Sequence, residues 1–406
     1  MLAESRRLPR AFQLLWGATA ISNIGDGLRL TALPLLATSV TTDPRAIAGV
    51  AIAERIPWLV FILPGGAWAD RLDRRVLRLR LDTARAGVMV GLATVIALDR
   101  VSIAVIYGVA ALLASAEAVV DSSSMALVPA TVDRRDLERA GSRLTSTELV
   151  TNGLIGPPLG GLLFGLAVVA PFAVDAASFA AAAATIALLS GTYRPAANPG
   201  HAEPMWGQIG EGFRWLWRRP ALRNLALIST ALGLSEFVGA AVFVLFATQT
   251  LGLSGAEYGL LLVPGALGGL LGSWLSPRLV RAPLRFVLAT SIAVSAAATL
   301  LTAVTSWPVL VAVLGGVASA AVVVWNVLTV ALRQRLIPDH LLGRVGASYR
   351  FLVYIGMPFG ALLGGLLADA YGIRAALAVA GTALLATAAL IPLLLSRIDD
   401  DTTTLR

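Results

Sequence analysis

Long apolar stretches fill this chain from near its start to near its end, and those of the second half echo those of the first. Asp26 aligns with Glu236, Ala37 and Thr38 with Ala247 and Thr248, and Gly49 with Gly259. Further along, Gly66 and Trp68 align with Gly272 and Trp274, Leu137 and Arg139 with Leu342 and Arg344, and Gly160 and Gly161 with Gly364 and Gly365. The separation, about 205–210 residues, shrinks slowly along the chain. That is the pattern of one six-span unit, duplicated and then trimmed in its loops. Such duplication is how many membrane proteins build two pseudo-symmetric halves around one central site.

The membrane reading follows from charge. Hydrophobic residues are 57% of the chain, charged residues only 14%, and mean hydropathy is +0.79. A soluble domain carries about 25% charged residues, so this chain lacks the charge to cover a watery surface. Segments of about twenty apolar residues cross a hydrocarbon core about 30 Å thick, and with no water there to satisfy the backbone they must be helices. Spans are expected at 12–36, 46–68, 79–98, 102–130, 144–168, 171–190, 223–249, 256–276, 286–305, 308–332, 346–368 and 374–396. The expected fold class is an all-α membrane protein, with twelve transmembrane helices in two pseudo-symmetric six-helix bundles. An N-terminal bundle over 1–190 and a C-terminal bundle with a short tail over 223–406 flank a cytoplasmic linker at 191–222. In that linker Trp206, Ile209, Phe213, Leu216 and Trp217 share one face of an amphipathic helix, suited either to the membrane interface or to bracing the halves. The first span carries Asp26 and Arg29 and has no small-residue cleavage site, so it is not read as a signal peptide.

All 32 basic residues are arginine. They crowd the segments at 6–10, 71–80, 134–143, 194–223, 278–285, 333–344 and 397–406, whereas only Arg45, Arg100 and Arg374 fall in the alternate loops. The positive-inside rule then places both termini in the cytoplasm of a multi-pass protein of the cell inner or plasma membrane. The net charge of +8 reports topology, and no nucleic-acid partner is implied. With no cysteine, disulfides and thiol chemistry are excluded, and His201 and His340 both fall in loops, so no metal site is expected.

After the second span the chain reads Gly66-Ala67-Trp68-Ala69-Asp70-Arg71-Leu72-Asp73-Arg74-Arg75. This resembles the signature loop of the major facilitator superfamily, a glycine, three residues, Asp-Arg and a basic pair. The resemblance implies that Gly66, Asp70, Arg71, Arg74 and Arg75 belong to a cytoplasmic gate, Asp70 through a charge relay. Its partner there is expected at the inner end of another span, such as Arg350, with Asp121 as a further gate contact. The second-half copy has Ser276 and Pro277 in place of the acid, so such a latch is lopsided. Span five carries Gly153, Gly156, Pro157, Pro158, Gly160 and Gly161, which resembles a glycine-proline motif of superfamily exporters, with Asn152 where a glycine is usual. Plain helix packing by small residues is the other reading of that stretch. The opening from Phe12 and Trp16 through Asn23, Gly25 and Asp26, together with Ile56-Pro57-Trp58, resembles the branch holding macrolide, tetracycline and enterobactin exporters. The arginine motif of that branch is missing from span four, which carries Glu117 and Asp121 instead.

A charge at the bilayer centre costs about 2.5–3.5 kcal/mol on insertion scales, so each one calls for a reason. Asp26 lies mid-span with Ser22 and Arg29 on its face, and Glu236 is its counterpart in the repeat. First spans of each half line the central cavity in the resembled family, so Asp26 and Glu236 are expected along the transport path. Asp26 is read as carrying a coupling proton or binding a cation, with Glu236 or Glu117 as second acid; a permanent ion pair with Arg29 is the alternative. Glu54 and Arg55 are adjacent and point in different directions, so at least one needs a partner elsewhere, with Asp26 or Arg29 as candidates. Asp82 with Arg85 is read as a structural pair, Glu148 as a gate or cavity group, and Asp175 as a surface or packing contact. Trp16, Asn23, Trp58, Asn152, Trp325 and Asn326 are candidates to line a cavity.

The resemblance and the buried acids imply a proton-coupled secondary transporter, a monomer that exports amphipathic or cationic small molecules. Its partners are a small-molecule substrate, protons and the lipid bilayer; the proton gradient supplies energy and no cofactor is required. Export of an endogenous metabolite such as a siderophore or antibiotic is the nearest alternative, followed by a nutrient importer or lipid flippase. A membrane enzyme is disfavoured, since no cysteine or intramembrane histidine is present. Reporter fusions after Arg75, Arg139, His201 and Arg285 are expected to read cytoplasmic, and fusions at Asp43, Asp99 and Ser254 external. A cytoplasmic signal at any of the last three breaks the span assignment.

Overall fold

A computed structural model describes residues 8–61, 72–191, 193, 205–280, 282–338 and 341–395. These form helices throughout. In the first half they are α1 (Arg10–Val40), α2 (Pro44–Phe61), α3 (Arg74–Ala97), α4 (Ile103–Thr131), α5 (Leu137–Glu148), α6 (Gly156–Leu166) and α7 (Ala170–Ala187). The second half follows with α8 (Met205–Arg218), α9 (Pro220–Ala240), the short α10 (Phe243–Leu245), α11 (Gly255–Leu279), α12 (Leu284–Val304), α13 (Pro308–Leu336), α14 (Leu342–Tyr371) and α15 (Ile373–Leu394). Among the described residues nine helical stretches are long and apolar enough to cross a membrane, from Ile103–Asp121 to Ile373–Leu394. The expected spans one to three are helices α1, α2 and α3 but fall short on that measure. They hold the charges: Asp26 and Arg29 on α1, Glu54 and Arg55 on α2, and Arg78, Asp82 and Arg85 on α3.

Two compact units emerge. One holds residues up to Val40, Val60–Ala197 and Gly255–Leu260; the other holds Thr41–Leu59, Asn198–Ser254 and the chain from Leu261 onward. Each repeats the same pairings. In the first unit α1 packs on α6 and α7, and α3 on α4 and α7. In the second α9 packs on α14 and α15, and α12 on α13 and α15. The duplication legible in sequence is therefore a duplication of packing.

Glycines let these helices touch backbone to backbone. A β-carbon on Gly156 would lie 2.5 Å from the α-carbon of Gly27, and one on Gly27 would meet the Asn152 carbonyl at 2.9 Å. Gly160 abuts Leu28 in the same way, and in the second unit Gly356, Gly360 and Gly364 abut Thr230, Leu234 and Val238. The aligned pair Gly161 and Gly365 perform matching tasks: Gly161 seats Gly255 in the first unit, and Gly365 seats Arg45 and Ala48 in the second. Of the span-five motif, Gly156, Gly160 and Gly161 thus serve close packing. Pro157 and Pro158 open α6, and the wider π turn Leu149–Ile155 precedes them. Proline has no N–H to give the preceding turn, and a π turn absorbs that missing bond without ending the helix. Gly153 lies within this turn.

Helix ends follow local chemistry. Asp73 caps α3, its Oδ1 accepting from the backbone N–H groups of Arg75 at 3.0 Å and Val76 at 3.4 Å. Arg75 donates to the carbonyl of Ala187 at 2.8 Å, placing a cation on the last turn of α7. The reversal from α14 into α15 is a single residue, Gly372, whose φ of 88° only glycine adopts freely.

The linker helix is α8, and it braces the second unit. Leu216 is fully buried, Gly212 lies against the backbone of Arg344, and Glu211 pairs with the Arg344 guanidinium. Phe213 and Trp217 stack on each other at 5.2 Å and stay partly exposed. The side chains of Trp206 and Ile209 lie outside the described residues.

Gly156→Leu is expected to force α1 and α6 apart and lower stability by about 1–3 kcal/mol, as overpacking does. Gly165→Ala, on the same helix with open space around it, is expected to be silent. Melting temperature and monodisperse yield in detergent check both.

Candidate functional site

The interior of the first unit is occupied by charge. Asp26 is 6% exposed on α1, and its Oδ1 accepts from Arg85 Nη2 of α3 at 2.5 Å and from Arg29 Nη2 at 3.1 Å. Ser22, one turn back, donates to Oδ2 at 3.3 Å. The same Arg29 nitrogen reaches Glu117 Oε2 on α4, also at 3.1 Å. One guanidinium therefore bridges two carboxylates on two helices.

The network continues along α3. Arg85 Nη1 lies 3.6 Å from Asp82, and Arg78 Nε lies 3.3 Å from the other oxygen of Asp82. Arg78 also donates to Ser124 of α4. The face of Arg85 rests on the Phe179 ring of α7 at 3.8 Å, a cation–π contact in a desolvated place. Asp175, one turn before Phe179, is fully buried with its carboxylate against Gly25, the residue preceding Asp26. It accepts from Ser178 at 3.3 Å, and its Oδ2 has no hydrogen-bond partner among the described residues.

Several sequence readings change here. Asp82 and Arg85 do pair, but Arg85 makes its shorter contact with Asp26, at the centre of the cluster. Both Arg85 and Arg78 are absent from the site expected from sequence. Their signal was present as arginines and an acid at helical spacing, yet the Asp26 that Arg85 meets is almost sixty residues away in the chain. Asp175 is no surface contact; the absence of a side chain at Gly25 is what lets its carboxylate in. Of the adjacent pair Glu54 and Arg55, Arg55 lies over the Phe237 ring of α9, at 5.1 Å to the guanidinium. Glu54, beside it, is half-buried.

Glu236 stands apart from these. It opens into a cavity of about 270 Å³ inside the second unit. Trp16 is tied to α5, donating to Thr147 Oγ1 at 2.7 Å with Arg143 stacked on its ring. Trp58 meets Tyr354 edge to face at 6.2 Å. Trp325 is only 3% exposed and belongs to the apolar core of the second unit. Asn152 lies against Gly27, Asn23 is half-buried and Asn326 is exposed. Of the expected gate residues, Gly66, Asp70 and Arg71 lie outside the described residues, Arg74 and Arg75 begin α3, and Asp121 and Arg350 are exposed on α4 and α14. Glu148, at the end of α5, is also exposed.

The fold is that of solved transporters. The nucleoside transporter NupG superposes with a TM-score of 0.74 at 14% identity, covering 96% of this chain and 99% of that one. A bacterial homologue of the iron transporter ferroportin superposes with a TM-score of 0.74 at 18% identity, over 96% and 99%. These likenesses define a major facilitator fold. The chain belongs to the transmembrane secretion effector family of that superfamily, whose model matches residues 7–404. The multidrug efflux pump Tap of Mycolicibacterium fortuitum is 28% identical over 393 residues, which is 92% of each chain. Tap of Mycobacterium tuberculosis (strain ATCC 25618 / H37Rv) is 27% identical over 396 residues, covering 92% of this chain and 90% of the relative.

Removing one partner from a buried ion pair leaves the other uncompensated, at about 3–5 kcal/mol. Arg85→Gln is therefore expected to lower the melting temperature sharply. Asp26→Asn with Arg85→Gln is expected to recover part of that loss, because the remaining amides can bond to each other. Thermal unfolding in detergent decides it; simple additivity of the two single changes would deny their coupling.

Proposed function

We propose that this chain exports amphipathic or cationic small molecules, drugs among them, in exchange for protons by alternating access. Its relatives named multidrug efflux pumps align over nine-tenths of their length, which supports export and the substrate class. The observation that carries the coupling is Arg29, shared at 3.1 Å by Asp26 on its own helix and Glu117 on α4.

The two acids differ in how they are held. Asp26 has a second cation in Arg85, and its side chain is 8% accessible. The Glu117 side chain is 29% accessible and is held by Arg29. A proton arriving from an aqueous cavity meets Glu117 first. Neutralising Glu117 removes the attraction that joins α4 to α1 through Arg29, while the contact of Arg29 with Asp26 remains. Proton binding thus makes or breaks one interhelical contact, the local event that biases a two-state element. A cationic substrate near Glu117 favours the same unprotonated acid that proton release leaves behind, so substrate and proton occupy the site in turn.

Glu117→Gln preserves shape and hydrogen bonding but cannot titrate. In proteoliposomes loaded with ethidium, the variant is expected to equilibrate the dye down its own gradient while losing its response to an imposed pH gradient. Full pH-driven accumulation by Glu117→Gln would sink this assignment of the coupling acid.

A further inference from the structure

The repeat places Glu236 where the first unit has Asp26, yet their surroundings differ in one respect. Asp26 is neutralised from within by Arg29, three residues on, and by Arg85 of α3. At the separation that matches Asp26 to Glu236, the counterpart of Arg29 is Gly239. The helix of the second half that packs as α3 does in the first, α12, brings Ser295 and Thr299 to this place instead of an arginine. Among the described residues Glu236 has no ion pair or hydrogen-bond partner. Where the first unit packs two guanidinium groups, the second leaves a cavity of about 270 Å³, with Glu236, Gly239, Ser295 and Thr299 all on its wall.

We infer that this cavity is a binding site for an organic cation, an amidinium, guanidinium or ammonium group on an apolar body, with Glu236 as its counter-ion. The ligand supplies the positive charge that the second half does not carry at this place in its own sequence. The hydroxyls suit the N–H groups of such a cation. Ser235 donates to the carbonyl of Ala231 at 2.8 Å and Thr299 to that of Ser295 at 2.9 Å, so each turns its lone pairs toward other donors. Ser319 of α13 adds a further hydroxyl. The rest of the wall is apolar, with Ala318, Val322 and Leu384 among its members. One carboxylate among hydrocarbon walls fits a cation with an apolar body better than a hard metal ion, which collects about six or more oxygens. The volume is several times the roughly 30 Å³ share of a water molecule, room for a cationic head and the first ring or chain behind it.

The inference rests on the export reading only for its meaning, since it would name a cation subsite for the exported molecule. The test needs no gradient. Benzamidinium and its uncharged isostere benzamide are titrated calorimetrically into the full-length protein in detergent. Benzamidinium is expected to bind, benzamide to bind about tenfold or more weakly, and Glu236→Gln to weaken benzamidinium by a similar factor. Gly239→Arg, which restores the built-in cation of the first unit, is expected to abolish binding while the protein still melts cooperatively. Should Glu236→Gln fail to fold, Ser319→Leu fills the cavity, leaves the acid in place and is expected to have the same effect. Equal binding of the two probes, or benzamidinium binding unchanged by a folded Glu236→Gln, overturns the site. Glu236-dependent binding of sodium in place of benzamidinium overturns its assignment to organic cations. Glu117→Gln should still bind benzamidinium, so a failure of the coupling proposal and a failure of this site are read separately.

Discussion

Arginine side chains buried among the helices of a bilayer-spanning bundle must find anions, and the first unit is organised around that demand. Arg29, Arg78 and Arg85 meet Asp26, Asp82 and Glu117 on three helices, α1, α3 and α4. The three guanidinium groups are almost fully buried, so the positions of those helices are tied to one another. Phe179 adds α7 by offering its ring to Arg85. The polar interior is therefore a structural necessity, because a charge in low dielectric is stable only with its partner.

Around this cluster the two units share one packing plan and fill it differently. Glycines on α6 and α14 bring them against α1 and α9 at backbone contact, and the aligned Gly161 and Gly365 accept a further helix in each unit. The interior of the second unit is apolar, with Trp325, Leu328, Val345 and Tyr349 in a continuous core, and its one acid on α9 faces a cavity. Duplication preserved the helix contacts because they depend on small residues at fixed spacing. It did not preserve the charges, since the arginines that neutralise Asp26 have no counterpart beside Glu236. In the first unit the full set persists; in the second the cations are gone and the acid remains.

The legible part of the site was the part whose signal is local. Asp26, Arg29 and Ser22 share a helix face at spacings that periodicity reveals, and Glu117 stands out as an acid in an apolar span. Arg85 was legible only as a neighbour of Asp82, since its decisive contact crosses from α3 to α1. Of the two readings of Asp175 the packing contact holds, and nothing in its own neighbourhood shows that Gly25 makes room for it. The aromatic candidates fared differently one by one: Trp16 and Trp58 meet specific partners, whereas Trp325 is core. Tryptophan serves packing and cavities alike, and position along the chain does not separate the two.

Sequence by itself determined the helical class, the duplication, the arginine-marked loops and the glycine positions at which helices touch. Each of these is set by local chemistry: the backbone's need for hydrogen bonds in hydrocarbon, the period of a helix, and the absence of a side chain. Tertiary structure decided which charges meet, that α2 packs with the second unit, and that Glu236 opens on a cavity while Asp26 is enclosed by arginines. Those outcomes depend on contacts between residues far apart in the chain, and the direction of a buried side chain is settled only when the neighbouring helix is in place.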